Sequence, residues 1–248
     1  YSAQSSSNPE DLWAALLEYE ETTGGEALSI PHNGNLSNGL MWDNVTYDGD
    51  AINNDYAERR MRWEPIAEVT QIKGDSETHP TLSPDDPFAD FETYPHYIQQ
   101  TLEDYQPSAA DYVRSGLKRG LAIEQKTGVN PYKFGMIGST DSHTGLSSAE
   151  ETNFLGKTAR DSIPENKNGT NGDYWRMAAQ GLAAVWAPET NREEIFAAVK
   201  RKEVYATTGP RLKVRVFAGW GFTQDDVTAQ QFAQIGYAKG VPMGGDLS

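Results

Sequence analysis

The stretch GMIGSTDSHTG, residues 135–145, joins an apolar β-strand directly to two side chains that can bind a metal. In extended backbone, residues two positions apart project to the same side, so Asp141 and His143 are expected to point at one ion. A carboxylate suits oxygen-preferring ions, and an imidazole suits zinc, manganese or iron. The pair therefore fits a hydrolytic metal site. A polar loop that turns at Gly145 is the alternative interpretation, because Asp-x-His tripeptides also arise by chance.

Two further strand-like segments end in residues of the same kinds. The apolar run 27–32 closes on His32, and the run 66–72 gives way to a loop that carries Glu77 and His79. In barrels of alternating strands and helices, active sites assemble where the strands end. We therefore expect these three side chains to lie near the Asp-x-His pair.

Composition limits the partners and the chemistry. The chain has 248 residues, a formal net charge of -15 and no cysteine. A nucleic acid or an anionic membrane would require basic surfaces, so neither is expected as a partner. Without cysteine, any metal must be held by His, Asp and Glu. The length is compatible with one domain if the fold is a barrel.

Helix caps, stop signals and apolar runs predict alternating helices and strands, which indicates an α/β architecture with parallel strands. The predicted helices cover residues 9–23, 55–63, 108–126 and 192–201, and the predicted strands cover residues 27–32, 66–72, 132–137, 182–186 and 212–217. Residues 144–175 are polar and rich in Gly and Asn, and we interpret them as an insertion over the strand ends.

Four motifs, in this order, resemble the domain-of-unknown-function family 3604, which is related to the PHP (polymerase and histidinol phosphatase) superfamily. They are SIPHN at 29–33, QIKGDSE at 71–77, GSTDSH at 138–143 and the segment 192–211. The resemblance extends from about residue 9 to residue 247. As an ordered set, the motifs are far more specific than any one of them.

Resemblance to PHP proteins implies a distorted (β/α)7 barrel. This chain would carry its middle and C-terminal part in residues 1–218, followed by an extension over residues 219–248. It also implies two or three divalent metal ions (Mn, Zn or Fe) at the strand ends, and attack of a metal-bound hydroxide on a phosphoester. By position, Asp141 and His143 resemble the last ligand motif and carry the catalytic role, and His32 resembles the histidine that closes a middle strand.

One further metal ligand is expected near residues 68–79. Our order of preference is His79, then Glu77, then Glu68. PHP proteins open with His-x-His on the first strand, and this chain contains no such tripeptide. We expect a second polypeptide segment to supply that strand and its ligands. A degenerate barrel with a poorer site is the alternative.

Four residues are candidates for substrate binding. Lys73 and Arg211 suit an anionic group, although each is also compatible with an ordinary surface charge. Trp42 follows His32 in a long loop and is a candidate for a pocket wall. His96 is flanked by aromatic residues, so packing at the surface is its alternative interpretation.

Three functions remain open. The first is a metal-dependent hydrolase of phosphoesters, with promiscuity toward sulfate or aryl esters. The second is a metal-dependent hydrolase of carbon esters, lactones or amides. The third is a non-catalytic module whose acidic loops bind calcium. A small-molecule ester is the substrate expected in the first two.

Overall fold

A computed structural model describes residues 1–2, 4–97, 105–144, 157–159, 163–167, 177 and 180–247. The helices are α1 Pro9–Thr23, α2 Asn54–Trp63, α3 Val113–Thr127, α4 Pro164–Lys167, α5 Arg192–Lys200, α6 Gln224–Thr228 and α7 Phe232–Lys239. The strands are β1 Ile66–Gln71, β2 Gly74–Asp75, β3 Gly135–Gly138, β4 Leu182–Val185, β5 Val204–Thr207, β6 Phe217–Ala218 and β7 Val241–Pro242. No helix in these ranges is long and apolar enough to cross a membrane.

Local capping signals explain where the main helices begin and end. The side chain of Asn8 accepts a hydrogen bond from the backbone N–H of Glu10 at 2.9 Å, and α1 ends at Gly24, whose φ is 69°. Such caps satisfy backbone groups that have no partner inside the helix. Asn191 caps α5 in the same way, through the N–H of Glu194 at 2.8 Å. The helices predicted at these positions are confirmed.

The central sheet has the strand order β2-β1-β3. β1 pairs with β3 in parallel and with β2 antiparallel, and all six residues of β1 are buried. The register of the parallel pair shifts between Glu68 and Thr70, which marks a β-bulge. The parallel arrangement brings the C-terminal ends of β1 and β3 to one edge of the sheet.

The antiparallel pair β4–β5 packs against the end of β3. A Cβ atom at Gly138 would lie 2.8 Å from the backbone oxygens of Leu182 and Thr207. This is closer than real side chains approach backbone atoms. The position therefore admits only glycine, and it sets how closely the two sheets approach beside the candidate site.

A buried ion pair lies inside an aromatic core. The guanidinium of Arg60 donates to Glu64 at 2.9 Å and stacks 4.8 Å from the ring centroid of Tyr132. The indole N–H of Trp13 donates to the other oxygen of Glu64 at 3.0 Å. These hydrogen bonds offset part of the cost of burying two charges.

Two predicted strands are wrong. Residues 27–32 form no strand, although Ser29 donates to Trp63 and the N–H of Glu68 donates to Pro31 at 2.9 Å. Pro31 lacks an N–H, so the segment lies beside β1 without a regular ladder. Of the predicted strand 212–217, residues 212–216 also form no strand, and only Phe217 lies in one, at the start of β6.

The observed sheets match the predicted α/β architecture only in part. Within the described ranges the strands form one three-stranded sheet and two two-stranded sheets. The parallel pairing predicted for the α/β core is found between β1 and β3, whereas β4–β5 and β6–β7 are antiparallel. The (β/α)7 barrel and its boundary at residue 218 stay predictions. Most of the predicted insertion, 144–175, lies outside the described residues.

Replacing Gly138 by Ala should destabilise the protein by about 1–3 kcal/mol, because the new methyl group overlaps two backbone oxygens. Urea unfolding followed by fluorescence measures the change. Gly221→Ala is the matched control, since a Cβ there meets nothing within 4 Å. If the Gly138 variant were as stable as the control variant, the close packing of β3 on the β4–β5 pair would be wrong.

Candidate active site at the ends of the parallel strands

Glu68 is a buried carboxylate in the middle of β1. Its side chain is 6% exposed. One oxygen accepts a hydrogen bond from the backbone N–H of Asn33 at 3.2 Å, and the other accepts one from the hydroxyl of Ser139, the first residue after β3. Glu68 therefore connects β1, the segment beside it and the end of β3.

The two carboxylate oxygens of Asp141 contact three side chains. The ammonium groups of Lys73 and Lys157 both contact Oδ2, and Nε2 of His143 lies 3.1 Å from Oδ1. The backbone N–H of His143 also donates to the carbonyl oxygen of Lys157 at 2.6 Å. We name Asp141, His143, Lys73 and Lys157 the Asp141 cluster.

The prediction that the side chains of Asp141 and His143 lie together is confirmed. The predicted extended backbone between them is not found. β3 ends at Gly138, and Asp141 has a φ of 50° in the loop that follows. The pair is therefore brought together by a turn and not by an extended strand. The side chain of His143 is 61% exposed, whereas that of Asp141 is 12% exposed.

The Asp141 cluster carries more positive than negative charge. Burial raises the pKa of Asp141, but hydrogen bonds from the two lysines outweigh burial, so its pKa lies below the ordinary value. Burial and the neighbouring ammonium of Lys73 lower the pKa of Lys157. Two cations around one ionised carboxylate can bind an additional anionic group.

The loop after β1 holds Lys73 in place. The side-chain oxygen of Gln71 accepts from the N–H of Lys73 at 2.8 Å, and its amide donates to the side chain of Asn33 at 2.6 Å. Asn35 donates to the carbonyl oxygen of Lys73 at 2.9 Å. The residues after His32 therefore fix both Glu68 and Lys73.

The three remaining predicted ligands lie in different surroundings. His32 is exposed and directly precedes Asn33, whose N–H binds Glu68. Glu77 forms a salt bridge with Arg114 at 2.7 Å. His79 contacts the hydroxyl of Thr81 through Nδ1 at 2.9 Å, and burial lowers its pKa. Among Glu68, Glu77 and His79, only Glu68 is hydrogen-bonded to residues that follow β3 within the described part of the chain.

The predicted substrate-binding residues are dispersed, with Lys73 alone in the Asp141 cluster. Trp42 is 1% exposed and packs on Phe134 at 4.5 Å between ring centroids. Arg211 is exposed beyond β5. His96 stacks edge-on against Tyr94 at 5.3 Å.

Sequence reasoning missed Lys157 and Ser139. Lys157 belongs to the stretch interpreted as an insertion, and no local pattern distinguishes it from other polar residues there. Ser139 could have been noticed, since it directly follows the strand. Within the part of the chain that the structure describes, no three His, Asp or Glu side chains converge as an ion site. The predicted ligand and catalytic roles stay predictions.

Asp75, on β2, is a carboxyl group with an altered pKa. Burial, reinforced by the neighbouring charge of Glu77, raises the pKa of Asp75 to about 7, although backbone N–H groups of Glu77 and Thr78 oppose the shift. The folded state therefore holds this proton at pH values where the unfolded chain has released it. The contribution of protonated Asp75 to the free energy of unfolding is therefore fully present below about pH 4, and it is lost as the pH rises to about 7.

Asp75→Asn should therefore gain stability relative to the unmodified protein as the pH rises from 4 to 8, by up to about 4 kcal/mol. Thermal or urea unfolding across that pH range measures the difference. The exposed Asp85 provides the control variant Asp85→Asn. A pH-independent effect of Asp75→Asn would contradict the raised pKa.

Comparison with known proteins gives a family and no activity. No curated protein and no solved structure matches the chain. A family model described as Protein of unknown function (DUF3604) matches residues 1–248, and the chain therefore belongs to this family.

Proposed function

We propose that the chain is a metal-dependent hydrolase of phosphoesters, with its reaction centre at the Asp141 cluster and Glu68. The observation that carries this proposal is the arrangement of Asp141. One carboxylate oxygen faces an imidazole nitrogen, and the other is held by two lysines. A position for a cation thus lies beside a position for an anion.

The donor atoms at Asp141 fit a divalent ion. Oδ1 of Asp141 and Nε2 of His143 lie within hydrogen-bond distance of each other, at 3.1 Å, and a carboxylate oxygen and an imidazole nitrogen are both ligands that zinc takes. The lysines contact the other oxygen, Oδ2. From the segment 68–79 we propose Glu68 as the ligand, ahead of Glu77 and His79, because the hydroxyl of Ser139 links it to the end of β3.

Two or three ions would need more ligands than these. We propose that His32 and a second polypeptide segment carrying His-x-His complete the set. When bound, Mn, Zn or Fe would lower the pKa of water toward neutrality and polarise the substrate.

The chain's own residues then have distinct tasks. Lys73 and Lys157 bind the anionic oxygens of the phosphoryl group, and Asp141 keeps the two ammonium groups together. Gln71 and Asn35 fix the backbone that carries Lys73. Preorganised charges of this kind stabilise the charge that develops in the transition state.

The lysine pair is also what favours phosphoesters over the alternatives. A carbon ester, lactone or amide has no anionic oxygen in its ground state for two ammonium groups to bind. A calcium site takes about six to eight oxygen ligands, and an imidazole and two lysines do not provide them. Hydrolysis confined to carboxylic esters would support the first alternative. Binding of calcium alone would support the calcium-binding module.

Asp141→Asn and His143→Ala should each lower kcat for p-nitrophenyl phosphate or bis(p-nitrophenyl) phosphate by about 100-fold or more, because each removes an electrostatic contact made in the transition state. Circular dichroism should show an intact fold. The exposed Asp225 supplies the control variant Asp225→Asn, which should keep its activity.

Metal dependence is tested on the same preparation. A chelator should abolish hydrolysis, and Mn or Zn should restore it, with metal content measured directly. Near-normal turnover by either variant, or activity that survives complete removal of metal, would refute the proposed centre.

Lys157→Gln should raise KM for the phosphate monoester by about tenfold or more, since a hydrogen bond between charged groups contributes about 1.5–3 kcal/mol. The turnover of p-nitrophenyl acetate, which carries no phosphoryl charge, should change much less. Lys118, exposed on α3, gives the control Lys118→Gln. Equal effects on both esters would show that Lys157 does not bind the anionic group.

A further inference from the structure

A cavity of about 370 Å³ lies beside the C-terminal ends of β1 and β5. None of the four residues of the Asp141 cluster lines it, and neither does Glu68. Its volume is within the range of roughly 300–1,000 Å³ that is typical of small-molecule sites. The cavity is therefore a separate place where the chain could bind a ligand.

Two threonines that line this cavity each carry a buried hydroxyl group without a hydrogen-bond partner in the described part of the chain. Thr70, on β1, is 5% exposed and Thr207, on β5, is 8% exposed. Within the described ranges, neither Oγ1 atom has a partner. Buried polar atoms are nearly always satisfied in folded proteins, so two unsatisfied hydroxyls on residues that line one cavity are candidates to bind a molecule there.

The remaining walls are apolar and open at the surface. Val69 and Ala206 lie inside, while Phe88, Leu212 and Val214 are exposed. Phe88 is 79% exposed, which is unusual for a large aromatic side chain. These side chains would cover a hydrocarbon chain or ring.

The charges of the lining select against anions. Asp75 and Glu77 are the acidic groups of the wall, and Arg114 is its cation. Arg114 is already paired with Glu77 at 2.7 Å and with Asp86 at 2.6 Å. Among the described residues that line the cavity, no cation is left for an anionic ligand, in contrast to the Asp141 cluster.

We propose that this cavity is a binding site for a small neutral or cationic molecule that has an apolar ring or chain and one hydrogen-bonding group. The hydroxyls of Thr70 and Thr207 bind that group, and the apolar residues enclose the body of the molecule. The site does not require that the Asp141 cluster be catalytic.

Three probes with one benzyl or phenyl body and different charges test the proposal: benzyl alcohol, benzylamine and benzoate. Their dissociation constants for the purified full chain are measured by ligand-observed NMR and calorimetry. Benzyl alcohol and benzylamine should bind saturably, and benzoate should bind at least about tenfold more weakly, a difference of about 1.4 kcal/mol.

Variants identify the place where the probes bind. Thr70→Val combined with Thr207→Val keeps the side-chain shape and should weaken binding of benzyl alcohol about tenfold or more. Val214→Trp, at the exposed mouth, should block the binding of both probes. Thr93→Val is the matched control, since its hydroxyl donates to Asp90 outside the cavity.

Three outcomes would overturn the proposal: no saturable binding of benzyl alcohol and benzylamine, binding of benzoate as tight as theirs, or undiminished binding by the folded double variant and by Val214→Trp. These measurements need neither metal nor turnover. Their failure is therefore distinguishable from failure of the proposed hydrolase.

Discussion

Parallel pairing of β1 with β3 is the constraint on which the candidate site depends. Backbone hydrogen bonds from Gly135 to Pro65 at 2.9 Å and from Ser139 to Thr70 at 3.0 Å join the two strands at both ends. The carboxyl ends of the strands consequently share one edge, where Ser139 reaches Glu68. A slip of one residue would turn Glu68 to the opposite face of the sheet and separate it from the loop that carries Asp141.

The charge around Asp141 differs in sign from that of the whole chain. A net charge of -15 repels anions at long range, whereas Lys73 and Lys157 attract them at contact distance. Added salt would screen the distant repulsion before it weakens the partly buried contacts. We therefore expect the affinity for an anionic ester to rise at moderate ionic strength. A protein that attracts anions at long range would show the opposite dependence on salt.

Local chemistry predicted much of the fold and part of the site. The Asn8 cap, a cap at Thr190 or Asn191, and the Asp141–His143 pair could be predicted from neighbouring residues alone. The segment ending at His32 could not, because it lies beside β1 without a ladder. Lys157 reaches Asp141 across 16 positions of chain, and Lys73 reaches it across 68. Such contacts are fixed by tertiary packing, which leaves no periodic pattern in the sequence.

The buried pair of Arg60 and Glu64 limits how relatives of this chain can diverge. Loss of one partner leaves an uncompensated charge among Trp13, Tyr132 and their neighbours, whereas joint replacement by apolar side chains of similar volume can preserve the core. We therefore expect single substitutions at either position to destabilise the protein, and the double exchange to be tolerated. The two positions should therefore change together across the family, four residues apart on α2 and its C-terminal cap.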